Sequence, residues 1–119
     1  MQRIMLKSKI HCAVLTGTDL HYEGSIAIDV TLLEAADILP NEQVHVLNMN
    51  NGTRLTTYAI AAERGSGTVV LNGPAARSGI AGDFVVILTY ANVDYAELAD
   101  YSPKIVKVDP QNRLYTKQG

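Results

Sequence analysis

A chain of 119 residues with a formal charge of −2 can bury one core but has no room for a second domain to hold a large organic cofactor. Its 10 Lys and Arg are scattered among 12 Asp and Glu, which leaves no basic face for a phosphate backbone and excludes nucleic acid as a partner. Cys12 is the only cysteine and the longest apolar runs, such as 84–88, fall well short of a membrane span, so a single cytoplasmic domain over 1–119 with no membrane partner is expected.

In chain order, residues 4–15 read as a strand with Ile10, Cys12 and Val14 on one face and Lys9, His11 and Ala13 on the other. The turn cluster Thr16-Gly17-Thr18-Asp19 leads through His21-Tyr22-Glu23-Gly24-Ser25 into a strand over 26–30. Thr31-x-x-Glu34 has the spacing of a capping box and opens a short helix over 32–37, closed by Leu39-Pro40-Asn41. Val44 and Val46 alternate with His45 and Leu47, and Asn50-Asn51-Gly52 makes a hairpin turn. The return strand over 54–62 sets Arg54, Thr56 and Tyr58 opposite Leu55, Thr57 and Ala59.

After the turn 63–67, a β-branched strand over 68–72 precedes Gly73-Pro74, where proline at the first helical position gives up only an N–H that had no partner. The most apolar strand, 84–90, is expected to be central. Helical spacing over 94–100 ends at Ser102-Pro103, a last strand covers 104–108, and a loose polar tail is expected from Asp109 onward. One pattern recurs: Asn41-Glu42-x-Val44-x-Val46 is echoed by Gly82-Asp83-x-Val85-x-Ile87 about 41 residues on, each preceded by an alanine pair. Two similar strand-helix-strand halves suit a small closed barrel with approximate two-fold symmetry.

Gly24-Ser25 permits an unusual reaction. A serine hydroxyl can swing back onto the preceding carbonyl, and glycine is the acyl donor that obstructs it least and tolerates the strained backbone required. Carried through an ester to β-elimination, the attack splits the chain and turns Ser25 into a pyruvoyl group. On its own the dipeptide also marks an ordinary turn or strand start. Among familiar alternatives, His11, His21 and His45 lack metal-ligand spacing, so no metal is expected, and neither a nucleotide-binding glycine loop nor a Gly-x-Ser-x-Gly elbow is present. A carbonyl at Ser25, cations at Lys9 and Arg54, a phenol at Tyr58 and the small-residue loop Asn72-Gly73-Pro74-Ala75 are what amine-to-imine chemistry on an anionic substrate needs.

Lys9-Ile10-His11, Tyr22-x-Gly24-Ser25, Asn51-Gly52-x-Arg54-x-x-Thr57-Tyr58, Arg64-Gly65-Ser66 and Asn72-Gly73-x-Ala75-Ala76 occur in an order and spacing that resembles the pyruvoyl-dependent aspartate 1-decarboxylases over residues 1–105. The resemblance implies a mainly β fold, a six-stranded double-psi β-barrel with short helices, assembled as a homotetramer with active sites between neighbouring subunits. It implies a precursor that cleaves itself at Gly24-Ser25 into 1–24 and 25–119, and a covalently bound pyruvoyl derived from Ser25, without metal or PLP. The implied reaction converts L-aspartate to β-alanine and CO2 for pantothenate and coenzyme A synthesis. Carried over by position, Ser25 becomes the pyruvoyl and Tyr58 the proton donor. Lys9, Arg54, Thr57 and the backbone of Gly73, Pro74 and Ala75 bind substrate, with Tyr22 and Asn72 in support.

Each role has a physical basis. Arg54's planar fork suits bidentate pairing with a carboxylate and Lys9 offers a point charge, with the choice of carboxylate for each left open. A phenol, whose ordinary pKa is about 10, stays neutral at pH 7 and can give a proton to a carbanion. Thr57 faces away from Tyr58 in an ideal strand, so both serve one site only through twist, a bulge or an interface. Its hydroxyl is a candidate oxyanion donor during cleavage. Pro74 departs from the alanine usual in the family and removes one amide, leaving that of Ala75. A longer pocket would suit glutamate instead. A non-catalytic barrel with Gly24-Ser25 intact would have no use for the Arg54-x-x-Thr57-Tyr58 set.

Overall fold

The computed structural model describes residues 1–115, and the chain is mainly β. Its strands are Gln2–Val14 (β1), Gly17–Asp19 (β2), Ser25–Asp29 (β3), Gln43–Asn48 (β4), Arg54–Ala62 (β5), Val69–Asn72 (β6), Phe84–Asp94 (β7) and Lys104–Lys107 (β8). Among the described residues there are also one α-helix, Val30–Ala35 (α1), and two 3₁₀ helices, Gly73–Ser78 and Tyr95–Asp100. The eight strands form one sheet in the order β2-β6-β3-β5-β4-β7-β1-β8. Eight stand where the barrel implied six: β2 forms within the expected turn cluster, where it pairs in parallel with β6, and β8, over the expected last strand, adds in parallel to the outer edge of β1.

The core is the apolar half of the period-two alternation. Ile26 and Ile28 of β3, Val44 and Val46 of β4, Val69 and Leu71 of β6, and Val85 and Ile87 of β7 are all fully buried, and Leu32 and Leu33 of α1 seal them. Each such side chain contributes about 1.5–3 kcal/mol by leaving water. The two echoed strands, β4 and β7, pair with each other antiparallel, with Val46 opposite Ile87. β7 is an interior strand, paired with β4 and β1 but sixth of eight rather than central, and it runs four residues further than expected, to Asp94, because β1 pairs with it along nearly its whole length. Between β4 and β5, Gly52 takes φ +76°, and its N–H donates to the Asn48 carbonyl at 2.9 Å to close the hairpin.

Three expectations are corrected. First, the register of β1 against β7 shifts between Ile10 and Ala13, with Cys12 at φ 60°. A bulge sets two residues against one and reverses the facing, so Ile10 and Ala13 are both buried while Cys12 and Val14 are half-buried. Second, α1 is capped by Asp29, not Thr31: the Asp29 carboxylate accepts from the Thr31 N–H at 2.8 Å. Glu34 reaches the exposed Arg64 guanidinium instead, at 2.7 and 2.9 Å, and that pairing lowers its pKa. Third, residues 109–115 are not loose. Val108 bridges Leu114, and buried Asn112 donates to the Val14 and Gly67 carbonyls at 2.7 and 2.8 Å and accepts from the Val14 N–H at 2.7 Å. Residues 116–119 of that expected tail lie outside the described residues. No helix among the described residues is long and apolar enough to cross a membrane.

Candidate active site

Ser25 is the first residue of β3, and its position follows from pairings on both edges of that strand. Antiparallel pairing with β6 sets Ser25 opposite Asn72. Both are buried, Ser25 to 1% exposure. The Ser25 hydroxyl donates to the Glu23 carbonyl at 3.0 Å and accepts from Asn72 Nδ2 at 3.1 Å. A buried hydroxyl held by one donor and one acceptor has a defined direction, and here an amide N–H points at the oxygen that would act as nucleophile.

On the other edge, β3 runs parallel to β5 with Ile26 opposite Ala59. One step back, that register brings Ser25 level with Tyr58 and Gly24 level with Thr57. β3 begins there, so the β3-facing edge of β5 is unpaired from Tyr58 backwards. A cleft of about 440 Å³ opens along it, lined by Gly24, Leu55, Thr56, Thr57, Tyr58 and Pro74, with Ala75 and Ser78 at its side. Thr57 and Tyr58 both line this cleft although they alternate in facing. No bulge is involved, since β5 stays in register with β4 from Arg54 to Tyr58. The cleft follows a bare strand edge, which presents consecutive residues of both facings.

Gly73, Pro74 and Ala75 turn the chain from β6 into the first 3₁₀ helix, with Gly73 at φ +66°. Tyr22, 54% exposed, presents its backbone carbonyl toward Gly73. Pro74 lines the cleft, as a ring without an N–H.

Lys9 lies apart from this cleft within one chain, and Arg54, next to the cleft residue Leu55, is not part of its lining. Cross-strand pairs put Lys9 opposite Leu88, Leu88 opposite His45, Val86 opposite Leu47, and Leu47 opposite Arg54. The alternation that buries Val46 and Ile87 therefore leaves Lys9, Leu47, Val86, Leu88 and Arg54 on the outer face. Lys9, Leu47, Met49, Val86 and Leu88 line a separate cleft there. Arg54 Nη2 donates to the Tyr90 hydroxyl at 3.4 Å. Arg54 is four residues before Tyr58, on the order of 13 Å along the strand.

The Glu23 carbonyl, Leu55, Thr56 and Ser78 are site elements that the sequence reading missed. Nothing in a sequence marks a carbonyl as an acceptor. Leu55 and Thr56 become visible only once β3 is known to pair in parallel with β5. Among the described residues no group of three or more His, Cys, Asp or Glu could hold a metal ion.

The family model for aspartate decarboxylase matches residues 1–115. The aspartate 1-decarboxylase of Syntrophobacter fumaroxidans is 59% identical over 113 residues, covering 95% of this chain and 91% of that one. Those of Thermoanaerobacter pseudethanolicus and Syntrophus aciditrophicus are 56% and 55% identical, with 97% and 98% of their own lengths covered. The chain belongs to the aspartate decarboxylase family of enzymes.

Proposed function

We propose that this protein decarboxylates L-aspartate to β-alanine and CO2 in the cytoplasm, supplying pantothenate synthesis, after cutting its own chain between Gly24 and Ser25. The observation that carries this reading is the buried Ser25 hydroxyl, oriented by Asn72 at 3.1 Å, one residue from a glycine that lines a cleft with Thr57 and Tyr58. Cleavage begins when Ser25 Oγ bonds to the Gly24 carbonyl carbon and the Gly24-Ser25 C–N bond breaks, leaving an ester. In this reading Thr57, level with Gly24, donates to the oxygen that becomes negative. Loss of the Ser25 α-proton then expels the Gly24 carboxylate, and water replaces the nitrogen, which leaves as ammonia.

The residues present fit a pyruvoyl group at position 25: a buried strand end, an amide from Asn72 and an open cleft beyond. That group supplies a carbonyl for the substrate amine to condense with and a sink for the electrons left by departing CO2. The chain's own residues do the rest. Arg54 and Lys9 hold the two carboxylates by charge. Tyr58, level with Ser25, returns the proton to the α-carbon. In this reading the amide of Ala75 holds substrate where Pro74 has none.

Lys9 lies in an outer-face cleft separate from the Gly24 cleft, and that separation supports a homotetramer in which neighbouring subunits complete each site. Antiparallel pairing of the echoed strands, and the bonds from the Leu15 and Thr16 N–H groups to the Asp83 and Val69 carbonyls at 2.8 Å, support closure as a double-psi β-barrel. The test is turnover: purified protein should release CO2 and β-alanine from L-aspartate much faster than it decarboxylates L-glutamate. Inactivity on aspartate, or an equal rate on both, would reject the substrate assignment.

A further inference from the structure

We propose that Gly73 positions the Gly24-Ser25 bond for self-cleavage, a role in the precursor that is separate from any contact with substrate and that rests on the self-cleavage reading above. Gly73 follows Asn72, at the end of the β6 ladder, and turns its α-carbon directly onto the segment to be cut. A β-carbon at Gly73 would lie 2.8 Å from both the N and the Cα of Gly24, and 3.0 Å from the Tyr22 carbonyl oxygen. All three are backbone atoms, so no change of rotamer relieves the overlap. Ordinary carbon contacts are about 3.5–4.0 Å, and the segment would have to withdraw by on the order of 1 Å.

Such a withdrawal would fall on one half of a reacting pair. Asn72 holds Ser25 Oγ at 3.1 Å through the β6 ladder, while the neighbouring Gly73 sets where the Gly24 backbone rests. A side chain at 73 would leave the hydroxyl in place and push its target carbonyl away. The requirement lapses once the bond is broken, because Gly24 is then a chain end free to move aside.

Gly73 also sits at φ +66°, so loss of close approach must be separated from backbone strain. Alanine adds the β-carbon and resists positive φ, whereas asparagine adds the same β-carbon and tolerates positive φ. The experiment follows splitting of the unaltered chain, Gly73→Ala and Gly73→Asn over time by intact mass under denaturing conditions. The same substitutions combined with Ser25→Ala, which cannot split, give Tm. Both variants are expected to split roughly tenfold to a hundredfold more slowly, with asparagine regaining part of the Tm that alanine loses but none of the rate. Splitting of Gly73→Asn at the unaltered rate, recovery of rate in step with Tm, or failure of both variants to fold would each overturn the proposal. An unaltered chain that stays whole overturns the self-cleavage reading and this role with it; an unaltered chain that splits beside equally fast variants overturns only the role of Gly73.

Discussion

Asp29 ends the strand that begins at Ser25, and replacing it by asparagine tests how that strand is anchored. One carboxylate oxygen accepts from the N–H groups of Thr31 and Gly65, at 2.8 and 3.1 Å, and the other from the Gly67 N–H at 2.9 Å. Burial opposes ionisation of this carboxyl most strongly, but the amides of Gly67, Thr31 and Gly65 together outweigh it and lower its pKa below the ordinary 3.8. An asparagine side chain would keep one carbonyl oxygen and turn an NH2 group against the buried Gly67 N–H, donor facing donor. A hydrogen bond to a charged group is worth about 1.5–3 kcal/mol net, so a loss of roughly 2–3 kcal/mol is expected, or about 10 °C in Tm for a domain of this size.

The pH dependence has a definite sign. With the folded pKa below the unfolded value, the carboxylate's contribution is fully present above about pH 4 and is lost as pH falls through the folded pKa. Asparagine takes up no proton there. Thermal unfolding of Asp29→Asn and the unaltered chain, at one protein concentration, should show a constant gap from pH 8 to 6 that narrows below about pH 4. A gap unchanged down to pH 3, or a loss under about 0.5 kcal/mol at pH 7, would refute the reasoning.

Other substitutions separate cleavage, turnover and stability. Ser25→Ala should abolish both splitting and turnover, and any residual splitting at that bond would exclude the hydroxyl as nucleophile. Tyr58→Phe should split normally and lose on the order of a hundredfold or more in kcat; a fully active variant removes Tyr58 as proton donor. Arg54→Lys keeps the charge and loses the fork, so KM for aspartate should rise about tenfold with kcat little changed, and an unchanged KM would place Arg54 outside the site. Asn112→Ala strands the backbone groups of Val14 and should cost about 2 kcal/mol with splitting intact, whereas an unchanged Tm would mean that this segment adds nothing to the fold.

The strands were legible where one face is buried, because alternation such as Val44-x-Val46 or Val85-x-Ile87 follows directly from pleat and burial. Features that depend on partners distant in sequence were not. The bulge at Cys12 arises from pairing of β1 with β7. Asp29 displaced Thr31 as the cap because the Gly65 and Gly67 amides, far along the chain, also needed an acceptor. Asn112 reads as a tail residue until Val14 is seen beside it. For the site, the motifs named the residues, but the separation of the Gly24 cleft from the outer-face cleft that holds Lys9 follows from sheet order and register, which no local pattern encodes.

The most direct test of the central claim is the intact mass of the purified, denatured protein. Two chains are expected, one ending at Gly24 and one starting at position 25, with the longer lighter by one ammonia than a simple hydrolysis product and gaining two hydrogens on treatment with borohydride. A single unbroken chain that nevertheless turns over aspartate, or a longer fragment that still begins with an intact serine, would contradict it.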